Sequence, residues 1–350
     1  MKFPKNSGLS ALVAISLLAA ADRAVAADAD DGFYKGKTLT IVISTEPGNI
    51  YDYYGRLLAK FMPKYIPGNP ATVVQNMPGA GGVRATNHMA LVAPRDGTVI
   101  AGVHSAIPTA PLTAPQGVQF DVNKLSWIGS TTKDPFVGYV WHTAPLQTLE
   151  ELKSKEISFG ATSAGTGGVD YAILANVFFG FKIKLVPGYK DSTEVKLALE
   201  RGEVQGTFAN SWGDLKSANI AWVKEKKVRV IVQHGFQRHA ELPDVPLFMD
   251  QAKTEADRQA LTLMLARQEF SKPYFAPPEV PAARLAILRR AFDSVMKDPE
   301  YLKEAHTANM ATDDPMTGEE LAATVAKVAA TPPEVVERVQ KTITTYQMGK

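Results

Sequence analysis

Two short loops contain the residue types best suited to hold a small anion. The first spans 44–51 and the second spans 162–169, and each lies between a strand-like run and a helical pattern. At such a place the first helical turn presents unpaired backbone N–H groups and a partial positive charge, which together favour an anion. Glycines let the backbone approach a ligand and polar side chains add donors; these residues are Thr45, Gly48, Asn49, Ser163, Gly165, Thr166, Gly167 and Gly168. Glycine before a helix is also common in plain turns, so neither loop alone establishes a site.

Motifs for other kinds of chemistry are missing or incomplete in the sequence. The run Gly165-x-Gly167-x-x-Asp170 lacks the third glycine of a dinucleotide-binding loop, and there is no P-loop and no Gly-x-Ser-x-Gly motif. The chain has no cysteine, and its 6 histidines do not have the spacing of metal ligands. We therefore expect no catalytic residues, no metal and no cofactor, and we predict a binding protein rather than an enzyme.

The overall charge is nearly balanced, with 38 basic and 36 acidic side chains and a formal net charge of +2. Proteins that bind nucleic acids usually concentrate an excess of basic charge on one face. The nearest basic cluster runs from Lys224 to Arg229, and we interpret it as the exposed end of a helix before a strand. The composition therefore predicts no nucleic-acid partner.

The elements that must position the two loops alternate between strand and helix. Strand-like runs at 39–43, 71–74 and 98–103 enclose helical patterns at 52–62 and 83–92. The pattern then restarts, with strands expected at 136–141, 157–161, 183–186, 204–208 and 228–232, and helices at 148–153, 169–179 and 192–201. Thr148 is expected to cap the first of these helices, and the chain becomes mostly helical after Pro243. Alternating strands and helices are typical of a parallel sheet that binds ligands at the carboxyl ends of its strands.

Two such units predict an α/β protein with two lobes, each a mainly parallel sheet flanked by helices. We place the first lobe at 33–132 plus 233–350 and the second lobe at 133–232, so the second is an insertion into the first. The connections are expected at 130–134 and 233–239, with the helical tail packed on the first lobe. Closure of the lobes about these connections would let contacts from both loops favour the ligand-bound state.

The N-terminus has the pattern of a secretory signal peptide. Lys2 and Lys5 precede an apolar run at 9–21, and small residues at 24–26 provide a cleavage site. The apolar run is shorter than the roughly 20 residues that span a bilayer, although an uncleaved anchor is the alternative. We predict a signal peptide at 1–26 and a mature protein that begins near Ala27 in the periplasm.

Several motifs resemble, in order, those of the tripartite tricarboxylate transporter solute-binding proteins, often called the Bug family. The most specific are the run Gly48-Asn49-x-x-Asp52-x-x-x-Arg56 and the loop Asn76-x-Pro78-Gly79-Ala80-Gly81-Gly82. Further matches are Pro94 to Thr98, Trp127 to Gly129, Gly160 to Asp170, Gly188-Tyr189, Ala198 to Gly206 and Leu242 to Pro246. The resemblance covers most of the mature chain.

This resemblance implies a two-lobed binding protein, expected as a monomer, that delivers a small carboxylate to a membrane transporter. The carboxylate would be held at the two loops, here Thr45 to Asp52 and Ser163 to Asp170. The expected ligand-binding residues are Thr45, Glu46, Gly48, Asn49, Tyr51, Asp52, Ser105, Ser163, Gly165, Thr166, Gly167, Asp170 and Asn210. Asp52 and Arg56 match the family motif, yet a structural role is the alternative, with Asp52 capping its helix. Asn76 is expected to stabilise the Pro-Gly-Ala-Gly-Gly turn.

Three departures from the family pattern bear on the ligand. Glu46 stands where many members have a small residue, and a carboxylate at the mouth disfavours a multiply charged ligand. Tyr51, Tyr53 and Trp212 could form flat apolar walls, with core packing the alternative for Tyr53. Many members have a histidine near Asp170. We predict a mono- or dicarboxylate, aromatic or amino-bearing, rather than citrate; the alternatives are a sensor without transport and a secreted enzyme.

Overall fold

The computed structural model describes residues 32–113, 115–162, 166–190, 192–308 and 310–348. The predicted signal peptide at 1–26 lies outside these residues. Among the described residues, no helix combines the length and apolar character needed to cross a membrane. The strands, in chain order, are β1 (Thr38–Ile43), β2 (Ala71–Asn76), β3 (Val99–Gly102), β4 (Ser126–Ser130), β5 (Phe136–Trp141), β6 (Ile157–Gly160), β7 (Ile183–Val186), β8 (Gly206–Ser211), β9 (Val228–His234), β10 (Pro273–Ala276) and β11 (Met316–Thr317).

Helices connect most of these strands, and the last part of the chain is mainly helical. They are α1 (Ile50–Phe61), α2 (Val83–Leu91), α3 (Ala110–Thr113), α4 (Gly167–Phe179), α5 (Ser192–Glu200), α6 (Trp212–Lys224), α7 (Glu255–Glu269), α8 (Ala282–Val295), α9 (Pro299–Thr307), α10 (Gly318–Ala329) and α11 (Pro333–Met348). Short 3-10 helices occur at Met62–Tyr65, Ala80–Gly82, Ile107–Thr109, Glu150–Lys153 and Phe248–Gln251.

Side-chain caps fix several of the helix starts. Asn49 accepts a hydrogen bond from the backbone of Tyr51 at the start of α1. Thr254 and Asp257 form a reciprocal capping box at α7, as do Thr317 and Glu320 at α10. Each such cap satisfies backbone donors that the helix itself leaves unpaired.

The first sheet has the strand order β11-β4-β10-β3-β1-β2. Its parallel part is built from β1, which pairs with β2 and β3. On the other side β10 runs antiparallel to both β3 and β4. The expectation of a mainly parallel sheet is therefore wrong here: the sheet is mixed, because β10 is added by the chain on its return and enters from the opposite end.

The second sheet has the order β7-β6-β8-β5-β9 and is also mixed. Strand β6 runs parallel to β7 and β8, whereas β5 runs antiparallel to β8 and β9. Helix α4 covers one face, where Phe159 and Phe208 pack with their rings edge to face. Each sheet thus has its own apolar core.

The predicted elements differ from the observed ones mainly at short strands. The pattern at 126–130 was not predicted as a strand, and β10 was not predicted inside the helical tail. Helix α6 was anticipated only as an exposed helix end. The cap expected at Thr148 is wrong: a 3-10 helix begins at Glu150 without a side-chain cap, and the Glu151 carboxylate accepts from the backbone of Gln147 instead.

The chain returns to the first sheet later than expected. Leu247 and Phe248 belong to the core of the second sheet, and Gln233 forms a β-bridge with Leu247. Packing with the second sheet therefore continues past the connection expected at 233–239, and the chain enters β10 through residues 270–272. The boundary of the second lobe at 232 remains a prediction, but packing continues beyond it.

Two helices of the tail pack against the core of the second sheet. They are α7, which also packs against the core of the first sheet, and α11. Helix α7 places Leu261 and Met264 in the core of the second sheet and Leu263 in that of the first. Helix α11 packs Val335 and Val339 with the second core. The expectation that the whole tail packs on the first lobe is therefore wrong for α11, because its apolar face is buried against α4 and α7.

Candidate ligand-binding cleft

The edges of the two sheets meet at the connections between them. At the first sheet, β3 and β4 end where β10 begins, and at the second sheet β6 and β8 end where β5 begins. The two connections lie side by side, since Thr131 N–H donates to Lys272 O at 3.3 Å and Asp134 N–H donates to Gln268 O at 3.1 Å. Strand carboxyl ends are where open α/β sheets bind ligands.

A cavity of about 420 Å³ lies at this junction. The first unit contributes Ile50, Tyr54 and Lys272, and the second contributes Phe136 and Asn210. A smaller cavity of about 190 Å³ adjoins it, sharing Phe136, Ser192 and Asn210 and lined further by Thr162, Thr166, Gly167 and Gly168. Together they form a cleft that reaches from the first sheet to the start of α4, in the size range of small-ligand sites.

The first loop is held by one buried carboxylate. Asp52 is 2% exposed and accepts hydrogen bonds from Gly48 N–H, Arg56 Nε and Asn76 Nδ2, each at 2.9 Å. These donors hold the pKa of Asp52 below its usual value, although burial opposes them. Because both carboxylate oxygens have partners in the chain, Asp52 shapes the loop.

Two expectations for this loop are corrected. The cap of α1 is Asn49 and not Asp52, since Asn49 Oδ1 accepts from Tyr51 N–H at 3.1 Å. Asn76 braces the 45–52 loop through Thr45 O at 3.0 Å and does not bond to the Pro-Gly-Ala-Gly-Gly turn. Gly48 has φ +81°, a conformation that side-chain-bearing residues rarely adopt.

The tip of the first loop is open to solvent. Glu46, Gly48 and Asn49 are exposed, and none of them lines the cavities described above. Thr45 has a buried hydroxyl oxygen without a hydrogen-bond partner among the described residues. The structure thus leaves Thr45, Glu46, Gly48 and Asn49 outside the walls of the two cavities.

Tyr51 and Ser105 form the next part of the first unit's edge. The Ser105 N–H donates to the Tyr51 hydroxyl oxygen at 3.1 Å, and that hydroxyl donates to Ser105 Oγ at 3.3 Å. The Tyr51 ring stacks on His104 with centroids 5.1 Å apart. Burial lowers the pKa of His104 to about 4, and the charges of Arg267 and Lys272 contribute, so the imidazole is neutral at neutral pH.

Lys272 is a buried cation that the sequence analysis missed. It is 8% exposed, and its Nζ lies 5.1 Å from the Tyr51 ring centroid and 5.4 Å from that of Tyr54. Its Nζ donates to Ser271 Oγ at 2.7 Å. A lysine directly before the apolar run 273–276 was the available signal, because a strand there would carry Lys272 to the sheet edge.

The second loop is described only in part. Ser163 and Gly165 lie outside the described residues. Thr166 precedes α4 at the capping position but forms no side-chain cap, and its Oγ1 lies 3.3 Å from that of Thr162. Thr166 and Gly167 line the smaller cavity, beside the Phe136 ring. The start of α4 therefore faces the cleft, as expected of an anion-binding helix N-terminus.

Asp170 is directed elsewhere. It is 3% exposed and lines a third cavity of about 490 Å³ together with His104 and Arg267, rather than the two cavities of the cleft. That cavity has mostly apolar walls from α3, α7 and α11. Asp170 therefore does not line the cavities that Thr166 and Asn210 line, because it lies on the side of α4 that faces α7.

Asn210 joins the two cavities of the cleft. Its Nδ2 donates to the Tyr139 hydroxyl at 3.2 Å, and its Oδ1 accepts from Ser211 N–H at 3.0 Å. The neighbouring Ser211 hydroxyl donates to Asp134 Oδ1 at 2.7 Å. Burial raises the pKa of Asp134, while the charge of Lys272 and the hydrogen bonds from Ser211 and the Gly213 backbone oppose the shift. Asp134, like Lys272, was missed in the sequence.

The aromatic walls expected from sequence are only partly present. Trp212 is 6% exposed, packs in a core cluster and donates from Nε1 to Glu241 at 2.7 Å, so it belongs to the core. Tyr53 is 55% exposed, which excludes core packing. The rings that line the cleft are Tyr54 and Phe136. Among the described residues no cluster of three or more His, Asp or Glu is placed to hold a metal ion.

Comparisons with known proteins agree on the fold. A Polaromonas TctC solute-binding protein superposes with a TM-score of 0.69 at 18% identity, covering 87% of this chain and 99% of that one. MatC of Rhodopseudomonas palustris, solved with bound malate, gives 0.55 at 19% identity over 88% and 99% of the two chains. Both likenesses support the predicted two-lobed α/β fold class.

Sequence relationships identify the family. A UPF0065 protein of Cupriavidus necator is 27% identical over 254 residues, which are 70% of this chain and 72% of that protein. The model of the tripartite tricarboxylate transporter family receptor matches residues 56–330. The predicted family is thereby confirmed, and the chain belongs to the tripartite tricarboxylate transporter receptor family.

Proposed function

We propose that this receptor captures a small carboxylate in the cleft between its two sheets and delivers it to a tripartite transporter in the membrane. The observation that carries the proposal is the cleft itself. It is closed on one side by the first sheet's edge at Lys272 and on the other by Asn210 and the start of α4 at Thr166. A cation and a helix N-terminus both favour a bound anion.

Two findings support a carboxylate as the ligand. The matching family is one of receptors for tricarboxylate transporters, and MatC, which has a similar fold, was solved with malate. The combined cleft has room for a ligand of malate's size. We retain the preference for mono- or dicarboxylates over citrate, because a cleft with one buried cation beside the carboxyl group of Asp134 suits few negative charges.

Contacts to the ligand are proposed for a subset of the residues expected from sequence. Thr166, Gly167 and Asn210 line the cleft directly, and Tyr51 and Ser105 shape the edge beside Lys272. Asp52 stabilises the 45–52 loop and does not line the two cavities. In this proposal the protein binds its ligand without chemical change, works as a monomer in the periplasm, and contacts membrane subunits transiently.

Calorimetric titration tests the proposed ligand class. Protein freed of co-purified ligand by unfolding and refolding is titrated with butyrate, succinate, malate, benzoate, citrate and amino acids. We expect a saturable isotherm with at least one mono- or dicarboxylate and a matching rise in melting temperature. NMR of the ligand after incubation should show no turnover. Absence of binding by every carboxylate would contradict the proposal, and citrate as the tightest ligand would contradict the preference.

The periplasmic location has its own test. Cells expressing the whole chain are compared by fractionation with cells expressing residues 27–350. Export of the whole chain and retention of the shortened one are expected, because the basic and apolar pattern at 1–26 is typical of a signal peptide. Equal amounts of both proteins in the periplasm would show that this segment does not direct export.

A further inference from the structure

We propose that Lys272 is the residue that binds the ligand carboxylate, and that Asp134 beside it restricts the ligand to a single carboxylate. This inference rests on the proposed function and names the charge that the cleft selects. Both residues line the cavity of about 420 Å³ at the junction of the two sheets.

The surroundings of the Lys272 ammonium favour an anion. Its side chain is almost fully buried, yet among the described residues no carboxylate oxygen lies within ion-pair distance of its Nζ. An ammonium group has three N–H donors, and Ser271 Oγ takes one of them. Burying a cation without an anion is costly. An arriving carboxylate would supply the missing charge and accept the remaining donors.

Two aromatic rings hold the Lys272 side chain in place. Its Nζ lies over the rings of both Tyr51 and Tyr54, at 5.1 Å and 5.4 Å from the centroids. Tyr54 is in turn fixed by its hydroxyl, which donates to Ala311 O at 2.6 Å. Cation–π contacts stabilise the ammonium without neutralising it. The two rings and the Ser271 hydroxyl therefore orient the Lys272 ammonium in the cavity wall before a ligand binds.

The charges that line the cavity favour one ligand carboxylate over two. Asp134 lines the cavity together with Lys272, and its Oδ1 accepts from the Ser211 hydroxyl. Asp214 also lines the cavity, but Lys196 Nζ lies 2.7 Å from its Oδ2. The Lys272–Asp134 pair therefore carries at most one positive charge, which is present when Asp134 is protonated, the form that burial favours. In neither state is there a counter-charge for a second ligand carboxylate, which would stand near Asp134 and be disfavoured.

Matched ligand pairs test this inference. Butyrate is compared with succinate, and benzoate with phthalate, by calorimetry on wild type and Lys272→Met. Wild type should prefer the monocarboxylate of each pair. Lys272→Met should weaken monocarboxylate binding about 10- to 100-fold, the range expected when a charged hydrogen-bonded partner is lost. Lys272→Arg should restore part of the affinity.

The controls separate a role in binding from a role in folding. Lys216→Met removes a cation that also lies over an aromatic ring, 5.8 Å from the Trp212 centroid, but does not line this cavity. It should change affinity less than twofold. The melting temperature of ligand-free Lys272→Met should equal or exceed that of wild type. If Lys272→Met does not fold, Asp134→Asn tests the same pair of residues. This variant should bind dicarboxylates more nearly as tightly as monocarboxylates.

The outcomes are distinguishable from failure of the proposed function. If carboxylates bind and Lys272→Met binds them as tightly as wild type, the role of Lys272 is overturned while the receptor proposal stands. A wild-type preference for succinate or phthalate overturns the role of Asp134. If no carboxylate of the wider panel binds at all, the proposed function fails together with this inference.

Discussion

The two helix starts that face the cleft are built in different ways. At α1, Asn49 caps the helix and Asp52 ties Gly48, Arg56 and Asn76 together. At α4, Thr166 does not cap the helix, and Asp170 lines a different cavity. The first start is consolidated by its own side chains, whereas the second presents its hydroxyl and backbone to the cleft. The comparison suggests that the first loop acts as a fixed support and the second as a contact surface.

The largest effect should come from removing the buried carboxylate of the first loop. Asp52→Ala leaves donors of Gly48, Arg56 and Asn76 without their acceptor, and we expect a loss of about 2–4 kcal/mol in the free energy of unfolding. Guanidinium unfolding measures it. The matched change at the second helix start, Thr166→Ala, should cost less than about 0.5 kcal/mol. Equal losses in the two variants would contradict the distinction between support and contact surface.

The next largest effect should be a loss of stability in acid, caused by one histidine with a lowered pKa in each half of the molecule. His234 of the second sheet is fully buried with a pKa lowered to about 4, so it stays neutral in the folded protein. In the unfolded chain its pKa is about 6.5, so between these values the unfolded chain binds more protons. The contribution of neutral His234 to the free energy of unfolding is fully present above about pH 6.5. It decreases as the pH falls towards 4, and at pH 5 the loss is roughly 2 kcal/mol.

Guanidinium unfolding at pH 7.5 and pH 5 gives the measurement, with His234→Phe as the comparison. Phenylalanine suits the surrounding rings of Phe208 and Phe248, and it should reduce the pH dependence. His104 of the first sheet has its pKa lowered in the same direction, so His104→Phe should reduce it too. An unchanged pH dependence in His234→Phe would show that this histidine is not responsible.

The smallest effect should separate capping from ligand contact. Asn49→Ala removes the cap of α1 and should cost about 1 kcal/mol of stability, with little change in ligand affinity. Thr166→Val keeps the shape of the side chain and removes its hydroxyl, so it should weaken carboxylate binding about 3- to 10-fold with little change in stability. Parallel melting and calorimetric measurements decide the matter. The reverse assignment of effects would interchange the roles given to the two loops.

The sequence was informative where local patterns are strong. The strand at 136–141 and the one at 183–186 were predicted with their observed bounds, and the first loop was located by its glycine and motif residues. The family resemblance added the two-lobed class. Asp52 and Asn76 were identified as residues of the family motifs, but they are brought together only by the pairing of β1 with β2.

The rest depends on tertiary arrangement. Strand β10 has four residues inside a helical region, too short for periodicity to reveal, and with it the position of Lys272 was lost. Asp170 was expected to bind ligand because the family resemblance includes it in the loop from Ser163 to Asp170. Which side of that helix faces the cleft is decided by the packing of α4 on α7, and sequence spacing does not show this.

The two chain connections between the sheets are bonded to each other, and Lys272 belongs to one of them. If one half rotates against the other about these bonded connections, Lys272 lies next to the axis and moves little. A carboxylate held there would experience nearly the same surroundings in open and closed forms. Such a contact provides affinity but little driving force for closure, because only differential contacts shift the equilibrium. The far end of the ligand would reach Asn210 and Thr166, which lie farther from the axis. Those contacts would then determine whether the receptor closes.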